Sequence, residues 1–290
     1  PDRFYDVGIA EGYMLDFAGG LALGGMKPVM SIYATFLQRA VDQVMHDFSL
    51  MSIPALVGVD RAGLVGGDGP THQGIFDLAL LRPVPGIVVM VPRDENELQH
   101  MMFSGLQMKQ PVFIRFPKEG GQGVPMDERF LPLPPGRCEV MREGRDGLVL
   151  ALGPLVHRAL RIAETMAEEE RVQLTVVNLR FFKPLDEETL KPLLAHHRRI
   201  VTIEDGILGG GLSDQIRDLL GRCGNRRAEL LCMGVNEGVV PVASRKELLA
   251  RYGLDDEGMG LRFRSFFRPM GLLRRLAGRN GHSGLIRPFA

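Results

Sequence analysis

The sequence predicts an α/β protein of two open α/β domains: a parallel-sheet domain followed by a smaller one. Three observations carry this. Short apolar runs, rich in Val and Ile, alternate with amphipathic segments along most of the chain. The runs are apolar on both faces, as strands buried in a parallel sheet are. The alternation breaks once, across residues 118–147, in a stretch dense in Gly and Pro, and then resumes. Strands and helices in alternation imply right-handed crossovers with helices covering the sheet.

In the first half, strands are expected at 7–10, 28–33, 55–60, 87–91 and 112–116. Residues 37–50 place Ala40, Val44 and Asp47 along one side of a helix. Asp94 is a good N-cap for a helix over 95–107, because its carboxylate can accept from a first-turn N–H. These elements make a first domain over 1–120. Residues 121–146, with Gly123, Pro125, Pro132, Pro134, Pro135 and Gly136, read as a linker. A second domain over 147–258 follows, with strands at 148–152, 174–179, 200–204 and 229–233. Its helices are expected at 155–168, 186–195, 212–220 and 244–252. From Gly258 to the end there are seven Arg and no acid, which reads as a basic tail over 259–290. The chain opens on Pro1, just before its first strand unit, and is expected to be a fragment.

At 290 residues and 45% hydrophobic, the chain is long enough for a sizeable core. Lys+Arg and Asp+Glu are both 35, which argues against broad nucleic-acid binding and gives no reason for a membrane surface as partner. No run reaches the roughly 18 apolar residues that a bilayer span needs. Cys138, Cys223 and Cys232 are too few and too far apart for a disulfide framework or a Cys-x-x-Cys metal site. They read as reduced thiols of a cytoplasmic protein.

Three clusters fall at or just after the carboxyl end of an expected strand, the edge where open α/β sheets bind ligands. The first is Gly8-Ile9-Ala10-Glu11-Gly12. Glu11 reads either as a carboxylate beside a helix dipole or as a group that shares a proton with a ring nitrogen. The second runs from Ile32 to Arg39. Tyr33, Phe36 and Arg39 suit a planar ring and an anion, although Phe36 alone also reads as core. The third runs from Asp60 to Gly74, with five glycines in fifteen residues. So many glycines favour neither helix nor strand. This loop carries Arg61, Asp68 and His72, so it reads as a site loop or as a plain solvent loop. Arg61 can grip a phosphate in bidentate fashion and His72 can move protons near neutral pH. Arg115, at the end of a neighbouring strand, could converge on the same edge.

Other matches carry less. Gly67-Asp68-Gly69 with Asn96 superficially fits a diphosphate–Mg²⁺ pattern, but Asn96 falls in a helix start. Gly209-Gly210-Gly211 precedes a helix but lacks dinucleotide-fingerprint spacing, so tight packing is its better reading. His46, His196 and His197 have no ligand neighbours at metal-binding spacing.

These motifs resemble the 1-deoxy-D-xylulose-5-phosphate synthase family, thiamine-diphosphate enzymes of the transketolase superfamily. The carriers are Asp6-Val7-Gly8-Ile9-Ala10-Glu11, the run from Tyr33 to Ala40, Asp42-Gln43-Val44 with His46-Asp47, and Asp60-Arg61-Ala62-Gly63 through Gly69-Pro70-Thr71-His72-Gln73-Gly74. Ile114-Arg115-Phe116-Pro117, Lys183-Pro184-Leu185-Asp186, Val201-Thr202-Ile203-Glu204 and Tyr252-Gly253-Leu254-Asp255 extend the likeness to about residue 258. The resemblance implies only the pyrimidine-binding and C-terminal domains of that family. A missing N-terminal domain would bind the diphosphate and supply the Mg²⁺ ligands.

By this resemblance Glu11 binds the aminopyrimidine ring of thiamine diphosphate and shares the proton that activates the cofactor. Phe36 stacks on that ring. Tyr33, Arg39, Asp68 and His72 line the site, and Arg61 and Arg115 hold the phosphate of glyceraldehyde 3-phosphate. The implied reaction joins pyruvate to that aldehyde with loss of CO₂ and feeds isoprenoid, thiamine and pyridoxal synthesis. A homodimer is implied too.

Three departures stand out. Gly12-Tyr13-Met14 replaces the usual Gln-His-Ala, Asp16 stands where a small or neutral residue is usual, and Arg115-Phe116-Pro117-Lys118 replaces Arg-Tyr-Pro-Arg. The alternatives are a stand-alone subunit, as in a split transketolase or the β chain of a 2-oxo acid dehydrogenase, and a diverged non-catalytic relative.

Overall fold

The computed structural model describes residues 2–268. Four parallel strands build the first sheet: β1 (Val29–Tyr33), β2 (Leu56–Asp60), β3 (Val88–Met90) and β4 (Val112–Arg115), in the order β1-β2-β4-β3. Val88, Val89, Met90 and all of β4 are buried, as double-sided apolar strands require. The second sheet contains β5 (Glu139–Arg142), β6 (Gly147–Ala151) and β7 (Leu174–Asn178). The small strand β8 (Phe181–Lys183) leaves that sheet and pairs antiparallel with β3, adding a fifth strand to the first sheet. β9 (Arg199–Ile207) and β10 (Glu229–Val235) complete the second sheet, ordered β10-β9-β6-β7-β5. Its strands are parallel except β5, which runs antiparallel to β7.

The helices are α1 (Glu11–Leu23), α2 (Asp77–Leu81), α3 (Glu95–Gly105), α4 (Leu155–Glu170), α5 (Glu187–His196), α6 (Leu212–Cys223), α7 (Arg245–Arg251) and α8 (Asp256–Phe267). Several start where the sequence offers a cap. Asp94 accepts from the Glu97 N–H at 2.8 Å, Asp186 from Thr189 at 3.1 Å, and Ser244 and Glu247 form a reciprocal capping box. One apolar core crosses both halves, joining Val57 and Phe113 to Leu150, Phe182 and Leu190. None of the described helices is long and apolar enough to cross a membrane.

Four expectations change. Residues 7–10 are not a strand: Ile9 is 88% exposed, Gly8 turns at φ +68°, and no neighbouring strand pairs with them among the described residues. Residues 37–50 are not one helix but short α, 3₁₀ and wider π turns over 34–49. The expected linker ends early, because 139–142 form β5; its earlier part is pinned to α3, where Glu95, Asn96, His100 and Ser104 accept the amides of Gly123, Asp127, Leu131 and Leu133.

The basic tail is also corrected at its start. Asp255 caps α8 by accepting from the Gly258 N–H at 3.0 Å, and Met259, Phe263 and Phe267 recur every fourth residue and are buried. Arg264 and Arg268 both pair with Glu170 at the end of α4, at 2.8 and 2.6 Å. Residues 269–290 of the expected tail lie outside the described residues.

Candidate active site

The register of the first sheet sets the site. Tyr33 at the end of β1 stands beside Asp60 at the end of β2, so the segments that follow both strands leave the same carboxyl edge. The chain after β1 turns at once into helical turns carrying Phe36 and Arg39. The chain after β2 enters the glycine-rich loop, with Arg61 in the left-handed region at φ +53°. Such strain in a non-glycine residue costs about 1–3 kcal/mol and persists only where the surroundings hold it. Here the Asp60 carboxylate accepts the Arg61 N–H at 2.6 Å. A bridge between Gly63 and Gly74 closes the loop's base.

The side chains then form a continuous run of contacts. The Tyr33 and Phe36 rings stack with centroids 5.6 Å apart and planes 21° from parallel. His72 meets Phe36 edge-on at 5.4 Å. The Arg61 guanidinium lies 4.0 Å over the Tyr33 ring, and that of Arg39 4.5 Å over Phe36. Arg39 pairs with Glu11 at 2.9 Å through Oε1. Arg61 donates to Asp68 at 2.6 Å, and Lys118 reaches the same oxygen at 2.9 Å. The Thr71 hydroxyl meets His72 Nδ1 at 2.9 Å, while Thr35 ties the two segments by donating to the Thr71 carbonyl at 2.9 Å. The Lys118 hydrogen bond, with Arg61 and His72 adding to it, holds the Asp68 carboxyl below its ordinary value.

Seven of the eight residues picked out in the sequence therefore share one edge: Glu11, Tyr33, Phe36, Arg39, Arg61, Asp68 and His72. Glu11 gets there as the first residue of α1, not as the end of a strand. The unusual Gly12-Tyr13 pair leaves its contact with Arg39 in place. Tyr13 points outward and stacks on Phe17, with centroids 6.0 Å apart.

Arg115 is the exception in placement: its side chain takes no part in that run of contacts. It belongs to β4 itself and is buried beneath the edge. Its Nε donates to Asp77 at 2.6 Å, and its Nη2 donates to the Asp205 carbonyl. Burial raises the Asp77 pKa, against the pull of Arg115. The cation that reaches the edge is Lys118, which stands where the family motif usually has Arg. The signal was its position: three residues past the end of a buried strand, where the chain has surfaced.

Of the glycines before α6, Gly210 and Gly211 pack tightly, as expected, while Gly209 faces open space. The buried Glu204 carboxylate fills the space beside Gly211 and accepts the N–H groups of Leu212 and Ser213. Burial pushes its pKa up to about 7, against those hydrogen bonds. Among the described residues, no group of three or more His, Cys, Asp or Glu side chains could hold a metal ion.

A half-buried aromatic ring beside a carboxylate–arginine pair, with two cations sharing one carboxylate further along, suits a flat heterocycle next to an anionic group. Glu11 Oε2 accepts no hydrogen bond among the described residues, which leaves it available to a ring donor. These features fit the pyrimidine end of thiamine diphosphate.

Residues 1–122 match the family model of the transketolase pyrimidine-binding domain, and residues 136–259 that of the transketolase C-terminal domain. A solved split-gene transketolase, an inactive β4 tetramer, is 30% identical with a TM-score of 0.80, covering 92% of this chain and 86% of that one. The chain belongs to the transketolase family. It is 44% identical over 257 residues to the 1-deoxy-D-xylulose-5-phosphate synthase of Pelotomaculum thermopropionicum, covering 89% of this chain and 40% of that protein. It is 46% identical over 266 residues to 1-deoxy-D-xylulose-5-phosphate synthase 2 of Geobacter sulfurreducens, covering 91% of this chain and 42% of that protein. The chain thus spans about two fifths of the length of the curated relatives it matches.

Proposed function

We propose that this chain is the pyrimidine-binding and C-terminal part of a 1-deoxy-D-xylulose-5-phosphate synthase. The observation that carries the reading is the unbroken contact run from Glu11 through Arg39, Phe36, Tyr33 and Arg61 to Asp68 and Lys118. It joins a pyrimidine-binding acid to a phosphate-binding cation pair along one sheet edge. The higher identity to the synthases, 44% and 46% against 30%, favours this over a split transketolase subunit. The intact Glu11–Arg39 pair favours it over a non-catalytic relative.

Thiamine diphosphate, when bound, supplies the nucleophilic carbon that takes up pyruvate and the electron sink for loss of CO₂. The chain's own residues bind and orient. Glu11 offers a carboxylate oxygen to a ring nitrogen of the pyrimidine, with Arg39 fixing that carboxylate in place. Phe36 offers a stacking face. His72, turned against Phe36 and held by the Thr71 hydroxyl, offers a ring nitrogen that can donate to or accept from the substrate. Arg61 and Lys118 grip the phosphate of glyceraldehyde 3-phosphate, and Asp68 holds the two cations together until it arrives. Mg²⁺ and the diphosphate belong to the part of the relatives' length that this chain does not span.

Three free cysteines support a cytoplasmic setting, and the exposed Phe4, Tyr5, Ile9 and Tyr13 support pairing with a second copy. The test uses this chain joined to the diphosphate-binding portion that its relatives carry. Arg61→Ala and Lys118→Ala should each raise the KM for glyceraldehyde 3-phosphate about tenfold or more, because a lost charge-assisted bond is worth about 1.5–3 kcal/mol. They should leave the KM for pyruvate nearly unchanged. An equal loss with unphosphorylated glyceraldehyde would refute the phosphate role.

A further inference from the structure

The second domain holds the site loop from behind. Asp205, in β9, accepts the Leu64 N–H through Oδ1 at 2.9 Å and pairs through Oδ2 with Arg245 at 2.7 Å. Arg245, the first residue of α7, also donates to the Leu64 carbonyl. Both backbone polar groups of Leu64 are therefore taken by one ion pair. The same guanidinium donates through Nε to Glu119 at 3.1 Å, immediately after Lys118. Arg245 thus binds the loop that carries Arg61 and Asp68 and also the segment that carries Lys118.

The approach is close. A Cβ on Gly63, at φ +78°, would lie 2.3 Å from the Asp205 carboxylate, and one on Gly66, at φ +92°, would lie 2.6 Å from the Arg245 backbone nitrogen. Glycine is what lets the loop sit against the pair. The side chains of Asp205 and Arg245 are 9% and 12% exposed, so the pair is scarcely screened by solvent. Neither hydrogen-bonds to the side chains of Glu11, Phe36, His72 or Arg61.

We infer that Asp205 and Arg245 are positioning residues that set the distance between Arg61 and Lys118 and thereby the affinity for the phosphorylated substrate. The two cations come from separate segments, and Arg245 fastens both to one point of the second domain. The inference rests on the phosphate reading of that cation pair.

The experiment compares Arg245→Ala, Arg245→Lys and Asp205→Asn in the enzyme assembled from this chain and the diphosphate-binding portion of its relatives, with Arg61→Ala as the reference. Arg245→Ala should raise the KM for glyceraldehyde 3-phosphate about tenfold, the scale expected for a small misplacement of a binding group. The KM for pyruvate should move by less than about twofold. Arg245→Lys, which keeps a cation beside Asp205, should recover part of the loss. Asp205→Asn, which keeps an acceptor for Leu64, should give a smaller rise of the same kind. In the 290-residue chain, Arg245→Ala should speed amide hydrogen exchange across residues 62–74 while β6 and β9 stay protected. Equal changes in both KM values, or unaltered exchange in that loop, would overturn the positioning role. If Arg61→Ala itself shows no selectivity for the phosphorylated aldehyde, the phosphate reading fails instead. If Arg61→Ala is selective and Arg245→Ala and Asp205→Asn are not, this inference fails alone.

Discussion

Replacing Arg115 with alanine distinguishes a buried strut from a substrate clamp. The Arg115 side chain is 5% exposed and its partner Asp77 is fully buried, 2.6 Å away. Asp77 Oδ1 already lacks a partner, so Arg115 supplies the main compensation for its charge. Removing one member of a buried pair costs about 3–5 kcal/mol, because the other charge is left uncompensated. With an m value of about 3 kcal/mol/M, the urea midpoint should fall by about 1–1.7 M. The loss should also depend on pH. Burial already raises the Asp77 pKa against the pull of Arg115; without Arg115 its carboxyl stays neutral to still higher pH. The deficit should therefore be smallest in acid and grow as pH rises. Adding Asp77→Asn should recover part of it, so the two changes are not additive. A loss below about 1 kcal/mol, within the range of an ordinary surface change, would refute the strut. So would an effect confined to the aldehyde KM.

Two further outcomes follow from buried groups. Glu204 has its carboxyl pushed from 4.5 up to about 7, so its charged form is the disfavoured one. The penalty is absent below about pH 4.5, grows to about pH 7 and is then full, at about 3 kcal/mol. Urea unfolding of wild type against Glu204→Gln, which cannot ionise, should show the wild type losing about that much relative stability between those limits; a constant difference would contradict the assignment. Burial, with Asp186 nearby, pushes the Cys138 thiol up to about 12. Since the thiolate is the nucleophile, Cys138 should alkylate far more slowly at about pH 8 than a free thiol, and mass spectrometry of partly alkylated protein checks this.

The central parallel strands of both domains were legible in the sequence because they are buried on both faces and therefore carry apolar runs, with polar residues mainly toward their ends. β5 and β8 were not. Both are short antiparallel edge strands, and Glu139–Arg142 and Phe181–Lys183 carry charged residues that resemble loop. The helix over 256–267 was hidden because it opens the Arg-rich stretch that runs to the end of the chain, while Met259, Phe263 and Phe267 mark its buried stripe. Seven of the eight candidate residues lie together, and their grouping was legible because strand ends and glycine-rich turns have local signatures. Which of two neighbouring cations reaches solvent is a matter of sheet register and burial. Arg115 lies opposite Val59 inside the sheet, and Lys118 lies beyond it. Composition carries no such information. The contacts of Asp205 and Arg245 with Leu64 span 141 and 181 residues, and no local pattern reports them.

The central claim is that Glu11 is the acid that activates thiamine diphosphate. The direct measurement is pyruvate-dependent formation of 1-deoxyxylulose 5-phosphate by this chain joined to its relatives' diphosphate-binding portion, with and without Glu11→Ala. A positioned acid–base group contributes about 10²–10⁴-fold, so kcat should fall at least about a hundredfold while the fold, by circular dichroism, is unchanged. Turnover by Glu11→Ala equal to that of the unaltered protein would contradict the account.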